Sequence, residues 1–381
     1  MNPVHPLFAV IIYAIAFASA FILSLRYKIV NNQGRFETID GLRGFLAMGV
    51  FIHHSSIWYQ FLHTGKWDNP PSKLYTHFGQ TSVALFFMIT SFLFISKLVA
   101  SSEKGMDWKS FFVGRFYRLT PNYIYSLSLI VLIVFAVSGW QLRVSGFEFM
   151  KQLFHWGTFT VLSYPDINGY ADTTRVNAGV VWSLPYEWLF YFCMPILALL
   201  ILKKKQNLAA MLISVVFIAL FALFHGIDIQ HLLSFAGGAI APFILKYKKR
   251  AFNFRSVYIS AIVVACFALV ILFPSTSRFF CKLLIIVAFT LIALGNNVFG
   301  ILQNRTLKFL GEISYSTYLL HGIVLFCVIE FFVGKTKASE LSEASYCNLI
   351  FLITPLVVAT SALCYHFIEK PFLAFGKRRS A

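Results

Sequence analysis

Acidic side chains are scarce in this chain of 381 residues: 15 Asp and Glu stand against 32 Lys and Arg, a formal net charge of +17. Charged residues of both signs make up 12% of the sequence and hydrophobic residues 58%. Soluble domains carry about 25% charged residues, so this balance excludes an ordinary soluble protein. A basic excess in a soluble chain would suggest nucleic acid. Here the basic residues sit in short connections between apolar blocks, as the positive-inside rule expects, and nucleic acid is set aside as a partner. Cysteine is sparse too: Cys193, Cys266, Cys281, Cys327, Cys347 and Cys364 lie within or at the ends of apolar blocks. They form no C-x-x-C and no Cys/His cluster, so neither a disulfide framework nor a metal site is supported, and buried inert thiols are expected. No internal repeat, low-complexity tract or Pro/Gly linker divides the chain.

What the chain does have is a succession of apolar blocks. A bilayer span needs about 20 mainly apolar residues. Eleven blocks meet that need, at 4–25, 41–62, 78–99, 120–139, 180–202, 208–224, 229–245, 257–273, 279–299, 315–333 and 346–367. The expected fold class is all-α, a polytopic integral membrane bundle of about 11 transmembrane helices. The first block carries Ala18-Ser19-Ala20, which resembles a signal-peptidase site, but no basic residue precedes it and Arg26 and Lys28 follow. It reads as an uncleaved anchor with its amino end outside. Basic residues then alternate in agreement with that topology. Arg26, Lys28, Arg35, Arg43, Lys97, Lys104, Lys109, Arg115, Arg118, Lys203, Lys204, Lys205, Lys246, Lys248, Lys249, Arg250, Arg255, Arg305, Lys308, Lys370, Lys377, Arg378 and Arg379 all fall on the cytoplasmic side. The outer connection 140–179 is long and aromatic, with Phe147, Phe149, Phe154, Trp156, Phe159, Tyr164 and Tyr170, and is expected to form a cap on the membrane surface.

Ionisable groups inside spans are expensive and are functional candidates by default. The second block opens Asp40-Gly41-Leu42-Arg43-Gly44 and then carries His53-His54. His53 lies ten residues beyond Arg43, about 15 Å along a helix, near the membrane midplane. Entered from outside, Trp182-Ser183-Leu184-Pro185-Tyr186-Glu187 brings a carboxylate to a similar depth. A histidine with a carboxylate partner suits general base catalysis, and the same pair also suits a helix-bridging polar contact or a proton relay. Around the helix His54 falls about 20° from Arg43 and His53 about 80°, so geometry alone does not choose between the two imidazoles. Arg115 and Arg118 are spaced i,i+3 at the expected cytoplasmic boundary, as either a phosphate site or lipid anchors. Ser314, Tyr318 and His321 share one face of the tenth block and would line a channel.

Taken together, these motifs resemble the membrane acyltransferase 3 family, which includes bacterial O-acetyltransferases of surface polysaccharides. The resemblance rests on Asp40-Gly41-Leu42-Arg43-Gly44 with His53, Arg115-x-x-Arg118 with Pro121, and Trp182-Ser183-Leu184 with Glu187. Gly311-x-x-Ser314-Tyr315-x-x-Tyr318-Leu319-x-His321 and Ile368-Glu369-Lys370-Pro371-Phe372 follow in the family's order. It covers residues 35–372, preceded by an additional N-terminal helix and link at 1–34 beyond the family's ten-helix core, and followed by a short basic tail at 373–381. Ser91 stands where the family usually has glycine, and the esterase-like domain fused to some relatives is not expected after the tail. The resemblance implies a cytoplasmic acetyl-CoA or other acyl-CoA as co-substrate, no tightly bound cofactor or metal, and a hydroxyl of an extracytoplasmic glycan or lipid-linked sugar as acceptor. It implies His53 and Glu187 as catalytic, Arg43, Arg115, Arg118, Ser314, Tyr318 and His321 as donor-binding, and Asp40, Trp182 and Tyr186 as substrate contacts. The expected location is the bacterial cytoplasmic membrane among membrane lipids, amino end outside and carboxyl end cytoplasmic. The rival readings are a proton-coupled transporter or lipid-linked sugar flippase, and an inactive acyltransferase-like scaffold.

Overall fold

The computed structural model describes residues 1–27, 36–202, 207–247 and 253–380, and all regular structure among them is helical. The chain opens with α1 (Pro6–Arg26), α2 (Glu37–Thr64), α3 (Lys73–Ala100), α4 (Trp108–Val137) and α5 (Gly146–Gly157). It continues with α6 (Leu184–Ile201), α7 (Leu208–His225), α8 (Ile229–Gly238), α9 (Ile240–Tyr247), α10 (Val257–Val270) and α11 (Phe279–Ala293). The last helices are α12 (Arg305–Glu312), α13 (Ser314–Cys327), α14 (Lys335–Ser339), α15 (Glu343–Cys364) and α16 (Lys370–Ser380). Among the described residues eight helical stretches are long and apolar enough to cross a membrane, and α10 and α11 are shorter apolar helices. With the 28-residue α2, which carries Asp40, Arg43, His53 and His54 among its apolar residues, they account for the eleven apolar blocks. The protein is a multi-pass membrane bundle. Of the basic residues that fixed the expected topology, Lys28, Arg35, Lys203, Lys204, Lys205, Lys248, Lys249 and Arg250 lie outside the described residues, as does Ala381 of the tail.

Several helix limits differ from the expected ones, each for a local reason. The fourth block begins not near residue 120 but at Trp108, because Asp107 caps α4: its carboxylate accepts from the Ser110 N–H at 3.2 Å and the Ser110 hydroxyl at 2.6 Å. Those two bonds hold the Asp107 carboxyl below the usual carboxylate range. Arg115 and Arg118 therefore sit within the helix, and Pro121 lies inside it rather than at its start. The block 229–245 divides into α8 and α9, with α8 ending in the Gly237-Gly238 pair. The helix expected to reach residue 299 stops at Ala293, followed by Gly295, Val298 and Phe299 at positive φ.

Two compact units compose the chain: Met1–Leu93 with Gln230–Ala362, and Phe94–Ile229 with Leu363–Ala381. In the first, α2 is held by glycines. A Cβ on Gly41 would stand 2.0 Å from the Leu302 carbonyl oxygen, one on Gly44 2.5 Å from that of Leu307, and one on Gly311 1.9 Å from that of Asp40. Small residues let helix backbones touch where lipid offers no hydrophobic drive, and this explains the Asp-Gly-Leu-Arg-Gly motif as a packing surface against α12. Side-chain bonds to backbone add to it: Thr38 to the Ile292 carbonyl at 3.2 Å, Ser56 to Pro3 at 2.7 Å and Tyr346 to Ser55 at 2.7 Å.

The second unit holds the long connection after α4. Ser145 caps α5, whose Trp156 is fully buried and whose Phe147, Met150 and Phe154 are 81%, 62% and 63% exposed on the opposite face. The Tyr123 hydroxyl donates to the Trp156 carbonyl at 2.6 Å. Buried Asn168 organises the remainder, donating from its amide to the Gln141 carbonyl at 2.8 Å and accepting the Arg143 N–H at 2.7 Å.

Because nothing but the Asp40 backbone occupies the space a methyl would need, Gly311→Ala is expected to destabilise the protein by about 1–3 kcal/mol, an overpacking cost. Gly114→Ala, where no atom lies within 4 Å, serves as the neutral control. Melting temperatures in detergent measure the difference; equal values for the two variants would contradict the close α2–α12 approach.

Candidate active site

Three imidazoles meet inside the first unit. His321, fully buried on α13, places Nδ1 2.9 Å from the Thr317 carbonyl oxygen one turn earlier. A carbonyl only accepts, so Nδ1 carries the hydrogen and the neutral ring presents a lone pair at Nε2. That Nε2 lies 2.9 Å from Nδ1 of His54. His54 must then donate from Nδ1, which leaves its own Nε2 as an acceptor. His54 is only half-buried, and its ring is nearly parallel to that of His321, at 5.1 Å and 28°. The arrangement is an oriented base: one imidazole fixed in tautomer by a second, which is fixed by its own helix.

His53 is placed differently. Its Nδ1 donates to the Tyr75 carbonyl at 2.8 Å, and the ring is buried. Its other edge lies flush against α3, where a Cβ built on Gly79 would stand 2.4 Å from Cδ2 and 2.6 Å from Nε2. Gly79 is the space into which this ring packs. His53 contacts His54 edge-on, at 5.1 Å between ring centres.

The other candidates of the first unit divide in the same way. Arg43 is half-buried and shares a face of α2 with His54, eleven residues or about 16 Å along the helix. Asp40 is buried, with its backbone against Gly311. On α13, Tyr318 packs edge-on against Phe86 at 6.2 Å and lies 6.3 Å from the His321 ring centre. Ser314 is buried, and its hydroxyl meets no hydrogen-bond partner among the described residues.

In the second unit the two arginines of the Arg-x-x-Arg motif have separate surroundings. The Arg118 guanidinium donates to Glu369, whose side chain is fully buried, and Asn122 donates to the other carboxylate oxygen at 2.7 Å. Glu369 ends a π-helical turn, Tyr365–Glu369, so the Glu-Lys-Pro motif reads structurally as a clamp on α4. Arg115 lies instead with its guanidinium 4.7 Å from the Phe94 ring centre and 6.0 Å from that of Tyr191. Glu187, half-buried, accepts the Tyr191 hydroxyl one turn along α6. Trp182 packs edge-on to Tyr186 at 6.3 Å, and Tyr186 to Phe221 at 5.3 Å, an aromatic group at the start of α6. Sequence reasoning missed Tyr191 and the Arg118–Glu369 pair. The i,i+4 spacing of Glu187 and Tyr191 was the available signal for the first; nothing local signalled the second, 251 residues apart.

Comparison with known proteins is consistent across most of the chain. A sequence profile of the acyltransferase domain family, acyltransferase 3, matches residues 36–367. Nodulation protein 10 of Rhizobium leguminosarum bv. viciae is 26% identical over 196 residues, covering 49% of this chain and 50% of that protein. A Staphylococcus aureus (strain COL) protein named by inference as an O-acetyltransferase is 22% identical over 370 residues, covering 89% of this chain and 57% of its own length. The chain thus matches only about half the length of these relatives. No solved structure matches it.

The clamp on α4 carries a stability prediction. Removing one partner of a buried ion pair strands the other charge, at about 3–5 kcal/mol. Arg118→Ala is therefore expected to lower the melting temperature strongly, and Glu369→Gln added to it to restore much of the loss. Additive damage in the double variant would show that Glu369 does not depend on Arg118.

Proposed function

Because the chain belongs to the acyltransferase 3 family, we propose that this membrane acyltransferase moves an acyl group, acetyl above all, from acyl-CoA to a hydroxyl of an extracytoplasmic glycan or lipid-linked sugar. We place it in the bacterial cytoplasmic membrane with its amino end outside. The observation that carries the reading is the His54–His321 pair, which offers a directed lone pair at His54 Nε2.

The family resemblance implies His53 as the base, and helix geometry in the sequence leaves His53 and His54 open. The geometry supports His54 instead: the Nε2 edge of His53 closes on Gly79, whereas His54 is half-buried, oriented by His321, and on the Arg43 face of α2. In the step we propose, His54 Nε2 takes the proton of the acceptor hydroxyl as its oxygen bonds the thioester carbonyl carbon. The carbon–sulfur bond then breaks, and the CoA sulfur leaves with the proton returned by the imidazolium. While the ring is charged, its Nδ1–H bonds to His321 Nε2, so His321 performs the orienting and charge-stabilising task first expected of Glu187. Arg43, at one end of that α2 face, suits the donor's phosphates, and the pantetheine arm spans the distance from there toward His54. Arg118, held by Glu369, contributes by fixing α4 rather than by direct phosphate contact. Trp182 and Tyr186 supply aromatic surface suited to stacking on a sugar ring.

Transfer of labelled acetyl from acetyl-CoA to envelope glycan, at matched protein abundance, tests this. His54→Ala is expected to reduce transfer by about 10²-fold or more, the scale of a lost general base. His53→Ala is expected to keep more activity than His54→Ala. Complete loss in His53→Ala with activity kept in His54→Ala would reverse the assignment, and wild-type protein that transfers no label but moves a sugar lipid would favour the flippase reading.

A further inference from the structure

The second unit joins two charges that the sequence pattern assigns to opposite tasks. Arg115, the eighth residue of α4, belongs by motif to donor binding; Glu187, the fourth residue of α6, belongs to the catalytic group. Between them stands Tyr191, 1% exposed. Its hydroxyl donates to Glu187 Oε1, and the Arg115 guanidinium lies against its ring, within electrostatic reach of the phenol. Phe94 covers Arg115 at 4.7 Å and packs edge-on against Tyr191 at 5.2 Å, and Trp188 does the same from α6 at 5.8 Å. These two aromatic rings fix the phenol in place, and its hydroxyl hydrogen is directed to Glu187.

Depth makes the arrangement informative. Tyr191 is ten residues, about 15 Å, from the Ile201 end of α6, and Arg115 is seven residues, about 10 Å, from the Trp108 end of α4. Both groups thus lie inside their helices rather than at the ends. Held in an apolar surround, opposite charges on either side of a polarisable hydroxyl act on each other far more strongly than they would in water.

We propose that Tyr191 is a positioning residue that couples the Arg115 guanidinium to the Glu187 carboxylate, so that the two charges act on bound substrate as one unit. This rests on the acyl-transfer reading above. Loss of the hydroxyl separates the pair while leaving the ring packing in place. Lys97, near the end of α3, is a further cation within electrostatic reach of Arg115.

The test is a double-mutant cycle on the full chain in proteoliposomes, read as kcat/KM for acetyl-CoA. Arg115→Ala, Glu187→Gln and their combination are made with Tyr191 intact and again with Tyr191→Phe. With the tyrosine, the double variant is expected to be at least about fivefold less impaired than the product of the single effects. With Tyr191→Phe, the effects are expected to multiply. A merely structural tyrosine would lower all four activities alike and leave the coupling factor unchanged; that result, or multiplying effects in both backgrounds, overturns the proposal. Melting temperatures of the same eight proteins give the cycle independently of turnover. If wild-type protein transfers no acetyl group, the acyl-transfer reading fails, and coupling in the melting temperatures alone then decides the bridge: present with Tyr191 and lost with Tyr191→Phe it stands, otherwise it falls.

Discussion

A polar group inside hydrocarbon has no solvent to bond to, so a buried ionisable group is costly unless another part of the chain answers it. That constraint shapes the site more than any single motif does. His321 is answered by the Thr317 carbonyl and so can answer His54; His54, answered on one side only, keeps a lone pair for chemistry. Glu369 is answered twice, by Arg118 and Asn122. Lys282, 6% exposed near the start of α11, donates to the Ser234 hydroxyl at 2.9 Å and the Gln230 carbonyl at 3.3 Å. His53 and His54 each keep an acceptor at Nε2, but that of His53 closes on Gly79 and that of His54 does not.

Close packing makes those pairings attainable. Gly44 and Gly311 bring α2 and α12 to backbone contact, and Gly41 does the same against the turn at Leu302 before α12, which sets the rotation of α2. Rotation decides which histidine does what: one face of α2 turns His53 into the notch at Gly79, and the next residue, 100° around, turns His54 toward His321. Helix packing and the placement of the two histidines are in this sense one problem solved by the same glycines.

Much of this was legible beforehand. Eleven apolar blocks, an all-α membrane fold and an acyltransferase family follow from hydropathy and from five short motifs in order. The boundary errors had local causes: the Asp107 cap, read only in hindsight, lengthens α4, and glycine at 295 with two left-handed residues shortens α11. Candidate residues could be named from the sequence, but their partners could not. His321 was assigned to donor binding, and its distance of 267 residues from His54 left no sequence signal of their bond. Arg115 and Arg118 looked equivalent by spacing, yet one meets a buried carboxylate and the other a cage of aromatic rings, because residues three apart on a helix face neighbours that only the tertiary fold supplies.

The account's central claim is that the reacting group is His54, oriented by His321. A structure of the full-length protein with a non-transferable thioether analogue of acetyl-CoA tests it most directly. The account predicts the analogue's carbonyl carbon beside the His54 imidazole, with room at Nε2 for an acceptor oxygen about 3–3.5 Å from that carbon, and the His54–His321 bond intact. An analogue whose acyl end lies against His53, or at a place with no imidazole nearby, would contradict it.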